Sequence, residues 1–292
     1  MIVGAHKAGT SALLRYLGAH PGIRAQSQQE MVYFTDPHLS RRDLTEYWDR
    51  YFGPVTRPSG LDPAHLGKLA GLMYEPEGLE RLRRHNPDVE VVAILRDPVR
   101  RAYSAFWSAR LKGREPLTSF EEAMRGDRAR FKADHNSARI CQYLDRGLYA
   151  KHLKRLYELF DRDRVHVFIL EEFQRDANAV VAGLFRRLDL EPACLPAVAK
   201  RQNAARQPRS LLFSRLRWSR SPVTRAIKQT LPCGVRDAVR ERLLRLNEVP
   251  WSPPAMASAT ERELRAYFAE PNRELERLLG RDLSMLWPGT MG

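Results

Sequence analysis

Three short apolar runs rich in β-branched residues are spread along the chain, at Met1–Val3, Val89–Leu95 and Val165–Leu170. Their length and composition are typical of buried strands. Segments with helical periodicity surround these runs, and they are Thr10–Ala19, Pro98–Lys112, Gly147–Phe160 and Phe173–Leu188. Strands that alternate with helices predict a parallel sheet, and ligands bind such sheets at the carboxyl ends of the strands.

The length of 292 residues and the hydrophobic content of 43% are sufficient for one large α/β domain. We expect a single domain over residues 1–292, with a central parallel sheet and helices on both faces. The first apolar run has no residues before it, so we expect either a trimmed start or a short sheet edge. Residues 39–72 mix aromatics, prolines and charges without a sustained period, which predicts helix and loop covering one side of the site.

The first predicted strand runs into a glycine-containing turn that opens a helix, Gly4-Ala5-His6-Lys7-Ala8-Gly9-Thr10-Ser11. Glycines allow a tight turn, the amides at the helix start can bind an anion, and Thr10 and Ser11 can add hydroxyl donors and cap the helix. A turn with a purely structural role would not explain why a lysine occupies position 7. In the nucleotide-triphosphate loop the lysine follows the second glycine, whereas here it lies inside the turn. This displacement favours sulfuryl transfer, in which the group carries less negative charge and needs no metal.

The second predicted strand is followed by Arg96, Asp97 and a helix that begins near Pro98. The Arg96 guanidinium can bind a phosphate in a bidentate manner. Ser104 would lie about 9 Å along the helix axis from Pro98, at 1.5 Å per residue. These two side chains could hold one phosphate from two sides, although an Arg-Asp pair alone is more often a surface ion pair.

Taken together, the two segments resemble the 5′-phosphosulfate loop and the 3′-phosphate motif of sulfotransferases that use 3′-phosphoadenosine 5′-phosphosulfate (PAPS). Further segments follow in the order usual for that family, and they are Leu17–Pro21, Glu30–Phe34, Gly147–Leu153 and Tyr267–Asn272. The chain is most similar to the heparan-type glycan sulfotransferases and their bacterial relatives. The resemblance implies a P-loop-like three-layer fold, PAPS as donor, PAP as product and no metal.

The resemblance also implies roles for individual residues. Lys7 would stabilise charge on the transferred group, and Glu30 would be the general base, with His6 as the alternative base. The lysine and histidine usual around that glutamate in the glycan branch are absent here, where Glu30 lies between Gln29 and Met31. Donor binding would involve residues of both motifs and of a late basic loop, namely Lys7, Ala8, Gly9, Thr10, Ser11, Arg96, Ser104, Arg201 and Arg206.

The chain is strongly basic, with a net charge of +14 and a pI near 10.1. Residues 200–245 contain thirteen Lys and Arg against two acidic residues, and so supply eleven of these excess charges. We interpret residues 209–250 as a basic helical insertion that could contact a membrane surface or form a homodimer through residues 209–245. Three widely spaced cysteines and the lack of a long apolar run predict a soluble cytoplasmic protein. The resemblance to bacterial relatives implies a bacterial origin.

Two other functions fit parts of the pattern. A nucleotide-dependent kinase would need a metal-binding aspartate, for which Asp97 is the candidate. A non-catalytic nucleic-acid or membrane-binding protein would explain the charge. However, no nucleic-acid-binding module is recognisable, and we expect no nucleic-acid partner. The sequence does not identify the acceptor, which could be a glycan, a lipid or a small molecule with a hydroxyl or amine.

Overall fold

The structure is a computed structural model that describes residues 1–27, 30–53, 63–133, 142–191, 206–208, 248–250 and 252–288. The strands are β1 (Ile2–Gly4), β2 (Ile23–Ala25), β3 (Ala64–Leu66), β4 (Val91–Leu95), β5 (Val165–Ile169), β6 (Arg206–Pro208) and β7 (Glu248–Pro250). The helices are α1 (Thr10–Leu17), α2 (Thr45–Phe52), α3 (Pro76–His85), α4 (Pro98–Leu111), α5 (Phe120–Ala133), α6 (Tyr149–Leu159), α7 (Leu170–Arg175), α8 (Ala177–Arg187) and α9 (Ser258–Leu279).

The central sheet is parallel and has the strand order β1-β4-β5. Strands β2 and β3 form a second parallel pair. The chain just after β3 continues along β1, because the Ile2 amide donates to the Gly67 carbonyl (2.8 Å) and the Leu69 amide donates to the Ile2 carbonyl (2.9 Å). Lys68 therefore lies beside the strand that leads into the glycine turn.

Both faces of the sheet are covered by helices. Alternate residues of β4 point to opposite faces, as the pleat of a strand requires. Val91, Ala93 and Leu95 join an apolar cluster that includes α3 and α6, whereas Val92 and Ile94 join a cluster that includes α1 and α8. All five β4 residues are buried, which is typical of a parallel sheet with two covered faces. The predicted α/β fold is confirmed.

The chain forms two compact units. The first contains Met1–Arg101, Arg146–Val198 and Leu264–Gly292, and it holds the central sheet. The second contains Ala102–Asp145 and Ala199–Glu263.

Within the second unit, the Tyr143 hydroxyl donates to Glu115 (2.9 Å) and the Thr260 hydroxyl donates to Glu121 (3.1 Å). Strands β6 and β7 pair antiparallel there. The basic insertion predicted at 209–250 lies outside the described residues except for 248–250, so that insertion and the single domain over 1–292 stay predictions. Across the ranges given above, no helix is both long and apolar enough to cross a membrane.

Two segments differ from the prediction. The helix predicted over Phe173–Leu188 is two helices, α7 and α8, separated at Asp176. The extended backbone of Asp176 ends α7, and its carboxylate accepts from the Ala179 amide (3.0 Å) as the N-cap of α8. The region 39–72, predicted as helix and loop, also contains the strand β3.

A cluster of charges at the start of β4 predicts a pH-dependent contribution to stability. Glu90 accepts hydrogen bonds from His166 (2.7 Å), Arg187 (2.9 Å) and Arg164 (3.3 Å). Burial alone would raise the pKa of Glu90, but the hydrogen bonds from His166 and Arg187 outweigh it and hold the pKa below its usual range. A carboxylate with a lowered folded-state pKa stabilises the fold above its unfolded-state pKa, and the contribution disappears as the pH falls through the folded-state value.

Glu90→Gln is therefore expected to lower the free energy of unfolding by about 1 kcal/mol at pH 7. Urea denaturation of both proteins at pH 7 and at successively lower pH measures the difference. We expect the gap to close below about pH 4, near the ordinary glutamate pKa. A gap that stays constant over this range would contradict the assignment.

Candidate functional site

The turn between β1 and α1 is shaped to expose the first amides of the helix. Gly9 is the N-cap of α1 with φ 93°, and it has no side chain to accept hydrogen bonds from the first amides of the helix. The Ala5 amide donates to the Ile94 carbonyl (2.8 Å), which fixes the turn to β4. Unbonded amides at a helix start form an anion site. The prediction that Thr10 or Ser11 caps the helix is wrong, because the Gly9 residue takes that position and Thr10 is already the first helical residue.

Gly9 is required by both its backbone and its neighbours. At φ 93° a side chain is strained, and a Cβ would lie 2.6 Å from Leu170 Cδ1. Gly9→Ala is therefore expected to lower the free energy of unfolding by at least about 1 to 2 kcal/mol, measured by urea denaturation. Gly183→Ala in α8 is the matched control, since nothing lies within 4 Å of its Cβ. The control should be neutral or slightly stabilising, and equal losses in both variants would contradict the argument.

The two predicted anion-binding segments meet at the carboxyl ends of β1 and β4. Arg96 Nη1 donates to the Lys7 carbonyl (3.3 Å), and the Tyr149 hydroxyl donates to the Arg96 carbonyl (2.8 Å). Burial lowers the pKa of Arg96, and the nearby Glu171 carboxylate opposes this effect. Burial also raises the pKa of Tyr149, so its hydroxyl remains a donor. The arginine is thus held next to the glycine turn.

The backbone that carries Arg96 is braced from the far side. Glu171 accepts from the Asp97 amide (3.2 Å) through one carboxylate oxygen and from the Trp287 indole (3.1 Å) through the other. Trp287 is fully buried. This brace connects the segment after β4 to residues near the end of the chain.

Asp97 is committed to structural contacts. Its carboxylate accepts from the Val99 amide (2.9 Å), at the start of α4, and pairs with Arg265 (2.7 Å). The side chain is 1% exposed. A carboxylate engaged in this way does not suit the metal-binding role that the kinase hypothesis gave it. No group of three His, Cys, Asp or Glu residues is positioned to hold a metal ion in the ranges that the structure describes.

Glu30 is linked to the glycine turn through a buried lysine. Lys68 Nζ lies 3.3 Å from the Glu30 carboxylate and 3.1 Å from the Ser11 hydroxyl. The lysine side chain is 7% exposed, while that of Glu30 is 41% exposed. The Lys68 amide donates to the buried Gln26 side chain (2.6 Å), which fixes the backbone of the lysine. Glu30 therefore lies near the glycine turn, and its carboxylate is exposed to solvent.

Lys68 was missed by the sequence analysis. The one available indication was a single charge inside the otherwise apolar segment Leu66–Met73. A buried lysine needs a partner, but the sequence does not show that residue 68 lies along β1, beside the turn. Its contacts with Ser11 and Glu30 depend on that pairing.

The remaining predicted residues have these positions. His6 and Lys7 are half buried in the turn, Ala8 and Thr10 are buried, and Ser104 is half buried on α4 in the second unit. Arg206 lies in β6, but its side chain is outside the described part of the structure, and Arg201 lies outside it entirely. The contacts expected of Ser104, Arg201 and Arg206 with the donor stay predictions.

Comparison of the sequence and the structure with known proteins identifies the family of this chain. The family model described as "Sulfotransferase domain" matches residues 1–201. The chain belongs to the sulfotransferase family. Over 97% of its length it is similar to a sulfotransferase from Alicyclobacillus acidocaldarius, with a TM-score of 0.65, 26% identity and 96% of that chain covered. The predicted family and sulfotransferase fold are both confirmed.

Two curated relatives of this sulfotransferase chain are enzymes of Mus musculus. Heparan sulfate glucosamine 3-O-sulfotransferase 3B1 is 30% identical over 53% of this chain and 36% of its own length. Heparan sulfate glucosamine 3-O-sulfotransferase 6 is 31% identical over 52% of this chain and 41% of its own length. The match therefore spans less than half of each curated relative.

Proposed function

We propose that the protein transfers a sulfuryl group from PAPS to a hydroxyl or amine of an acceptor by in-line displacement. The observation that carries this proposal is the contact between the two anion-binding segments, in which Arg96 Nη1 lies 3.3 Å from the Lys7 carbonyl. Membership of the sulfotransferase family, which uses PAPS as donor, supports it.

The donor is held by groups at the carboxyl ends of β1 and β4. The amides of Gly9 and Thr10 bind the 5′-phosphosulfate at the start of α1. The Ala8 amide donates to the Ala5 carbonyl (3.1 Å) and so shapes the turn. Arg96 binds the 3′-phosphate. Ser104, Arg201 and Arg206 stay predicted donor-binding residues. Lys7 stabilises the negative charge that develops on the oxygen between phosphorus and sulfur. No metal is needed in this scheme, because a lysine and the amides supply the positive potential.

The acceptor is activated by Glu30. The acceptor oxygen or nitrogen forms a bond to sulfur while its proton passes to the Glu30 carboxylate, and the bond from sulfur to the bridging oxygen breaks. The products are the sulfated acceptor and PAP. Lys68 holds Glu30 at 3.3 Å and positions it toward the turn. His6 remains the alternative base.

The test of the proposed function is calorimetric titration of the protein with PAP, without magnesium and with ATP as the control ligand. We expect PAP to bind much more tightly than ATP. Arg96→Ala should weaken PAP binding by roughly 10- to 100-fold, because it removes hydrogen bonds to a charged phosphate. No binding of PAP, or a preference for magnesium-ATP, would overturn the proposal.

The acceptor class is proposed from the relatives, whose names specify heparan sulfate glucosamine. A screen for PAP release from PAPS should therefore begin with glycans and continue with lipids and small molecules. Residues 209–245 lie outside the described ranges, so a membrane or dimer contact through them stays a prediction. A cytoplasmic location also stays a prediction.

A further inference from the structure

An open concavity of about 450 Å³ lies between the turns at residues 33–41 and the end of α3. Four basic side chains line it together with two hydroxyl groups, and these are Arg41, Arg81, Arg84, His85, Tyr33 and Ser40. None of its lining residues is acidic. A concave surface lined by one sign of charge focuses the electrostatic potential on a ligand of the opposite sign.

Part of this basic pocket is preformed. Arg81 is held by two hydrogen bonds, from Nη1 to the Phe34 carbonyl (2.9 Å) and from Nη2 to Glu77 (2.7 Å). A guanidinium has five N–H donors, so these two bonds leave others for a ligand. The Tyr33 hydroxyl donates to the Arg42 carbonyl (2.5 Å), which fixes the backbone next to Arg41. The pocket is thus bounded by two anchored segments.

The other two arginines add charge without a carboxylate partner. Arg41 and Arg84 are exposed, and neither has an ion pair within the described ranges. Basic residues at the end of a helix interact favourably with its dipole, which would explain Arg83 and Arg84 equally well. That explanation does not cover Arg41, which lies on a different segment and lines the same pocket.

We propose that this basic pocket binds an anionic group of the acceptor, a carboxylate or a sulfate, away from the hydroxyl or amine that receives the sulfuryl group. The inference rests on the proposed function. Tyr33 lies three residues after Glu30, so their Cα atoms are at most about 11 Å apart. An acceptor of several units can reach both places. Arginine forks bind carboxylate and sulfate oxygens in a bidentate manner.

Matched arginine pairs test this inference. Arg84→Ala is compared with Arg83→Ala in the same helical turn, and Arg41→Ala is compared with Arg42→Ala. Each pair loses the same charge, but only one member of each pair lines the pocket. The probe is a heparan-sulfate hexasaccharide, titrated by calorimetry into protein saturated with PAP. A desulfated, carboxyl-reduced hexasaccharide and inorganic sulfate are titrated in parallel.

We expect Arg84→Ala and Arg41→Ala each to weaken hexasaccharide binding by about tenfold, with Arg83→Ala and Arg42→Ala changing it much less. The neutral hexasaccharide should bind poorly to all proteins. Equal losses within each pair would mean a general positive field and would overturn the proposal. It would also fail if wild type binds no hexasaccharide, or if the pocket variants change only the binding of inorganic sulfate.

Titration of every variant with PAP separates this inference from the proposed function. If the pocket variants bind both PAP and the hexasaccharide as wild type does, the acceptor pocket is disproved while the proposed donor site still stands. Loss of PAP binding in wild type removes the proposed function itself.

Discussion

Replacing Glu30 with glutamine is expected to lower kcat by roughly 10²- to 10⁴-fold, the usual contribution of a general base. Glutamine preserves the shape of the side chain and can still accept a hydrogen bond from Lys68, which lies 3.3 Å from the carboxylate. It cannot accept the acceptor's proton. PAP release from PAPS, in the presence of the acceptor found by the screen, measures the rate, and PAP affinity should be unchanged.

Two further variants make the Glu30 result specific. Glu46→Gln removes an exposed carboxylate from α2 and should leave kcat unaltered. His6→Asn tests the alternative base in the glycine turn. If His6→Asn greatly lowers kcat and Glu30→Gln does not, His6 is the general base. Glu30 is then only an ion-pair partner of Lys68.

Replacing Lys7 with methionine is expected to lower kcat by roughly 10²- to 10³-fold, comparable to removing one group that stabilises developing charge. The substitution keeps the backbone carbonyl that Arg96 contacts at 3.3 Å, so the two donor segments should remain together. Affinity for PAP should fall much less than kcat, whereas Arg96→Ala should show the reverse pattern.

Single-turnover kinetics with saturating PAPS distinguish these two roles. If the loss of PAP affinity in Lys7→Met accounts for the whole loss of activity, Lys7 binds the donor without stabilising the transition state. Normal urea denaturation of the variant shows that the fold is retained.

Much of the proposed donor site could be predicted because its two segments follow neighbouring parallel strands. The carboxyl ends of adjacent strands meet at one sheet edge, so the turn around Lys7 and the residue Arg96 had to lie close together once the fold was recognised. The apolar runs before these segments were long enough to identify β1 and β4. The residues of each motif are close in sequence, so their relative positions could be predicted without knowing the tertiary contacts.

The acceptor side depended on contacts that sequence spacing does not show. Lys68 reaches Ser11 and Glu30 because the chain after β3 lies along β1. The basic pocket combines Arg41 with Arg84 from distant segments, and neither segment has a recognisable motif. The break between α7 and α8 was missed because helical periodicity continues through Asp176, whose carboxylate caps the second helix.

The hydrogen bond between Trp287 and Glu171 also makes the indole a fluorescent reporter for the donor segment. The carboxylate that accepts from the indole at 3.1 Å also accepts from the Asp97 amide and lies near the Arg96 charge. Indole emission responds to the electric field around the ring, so an anion held by Arg96 changes the light that Trp287 emits. The emission change on adding nucleotide is compared between wild type and Trp287→Phe, and the difference belongs to Trp287. That difference would report nucleotide binding and release on the millisecond scale, without a label.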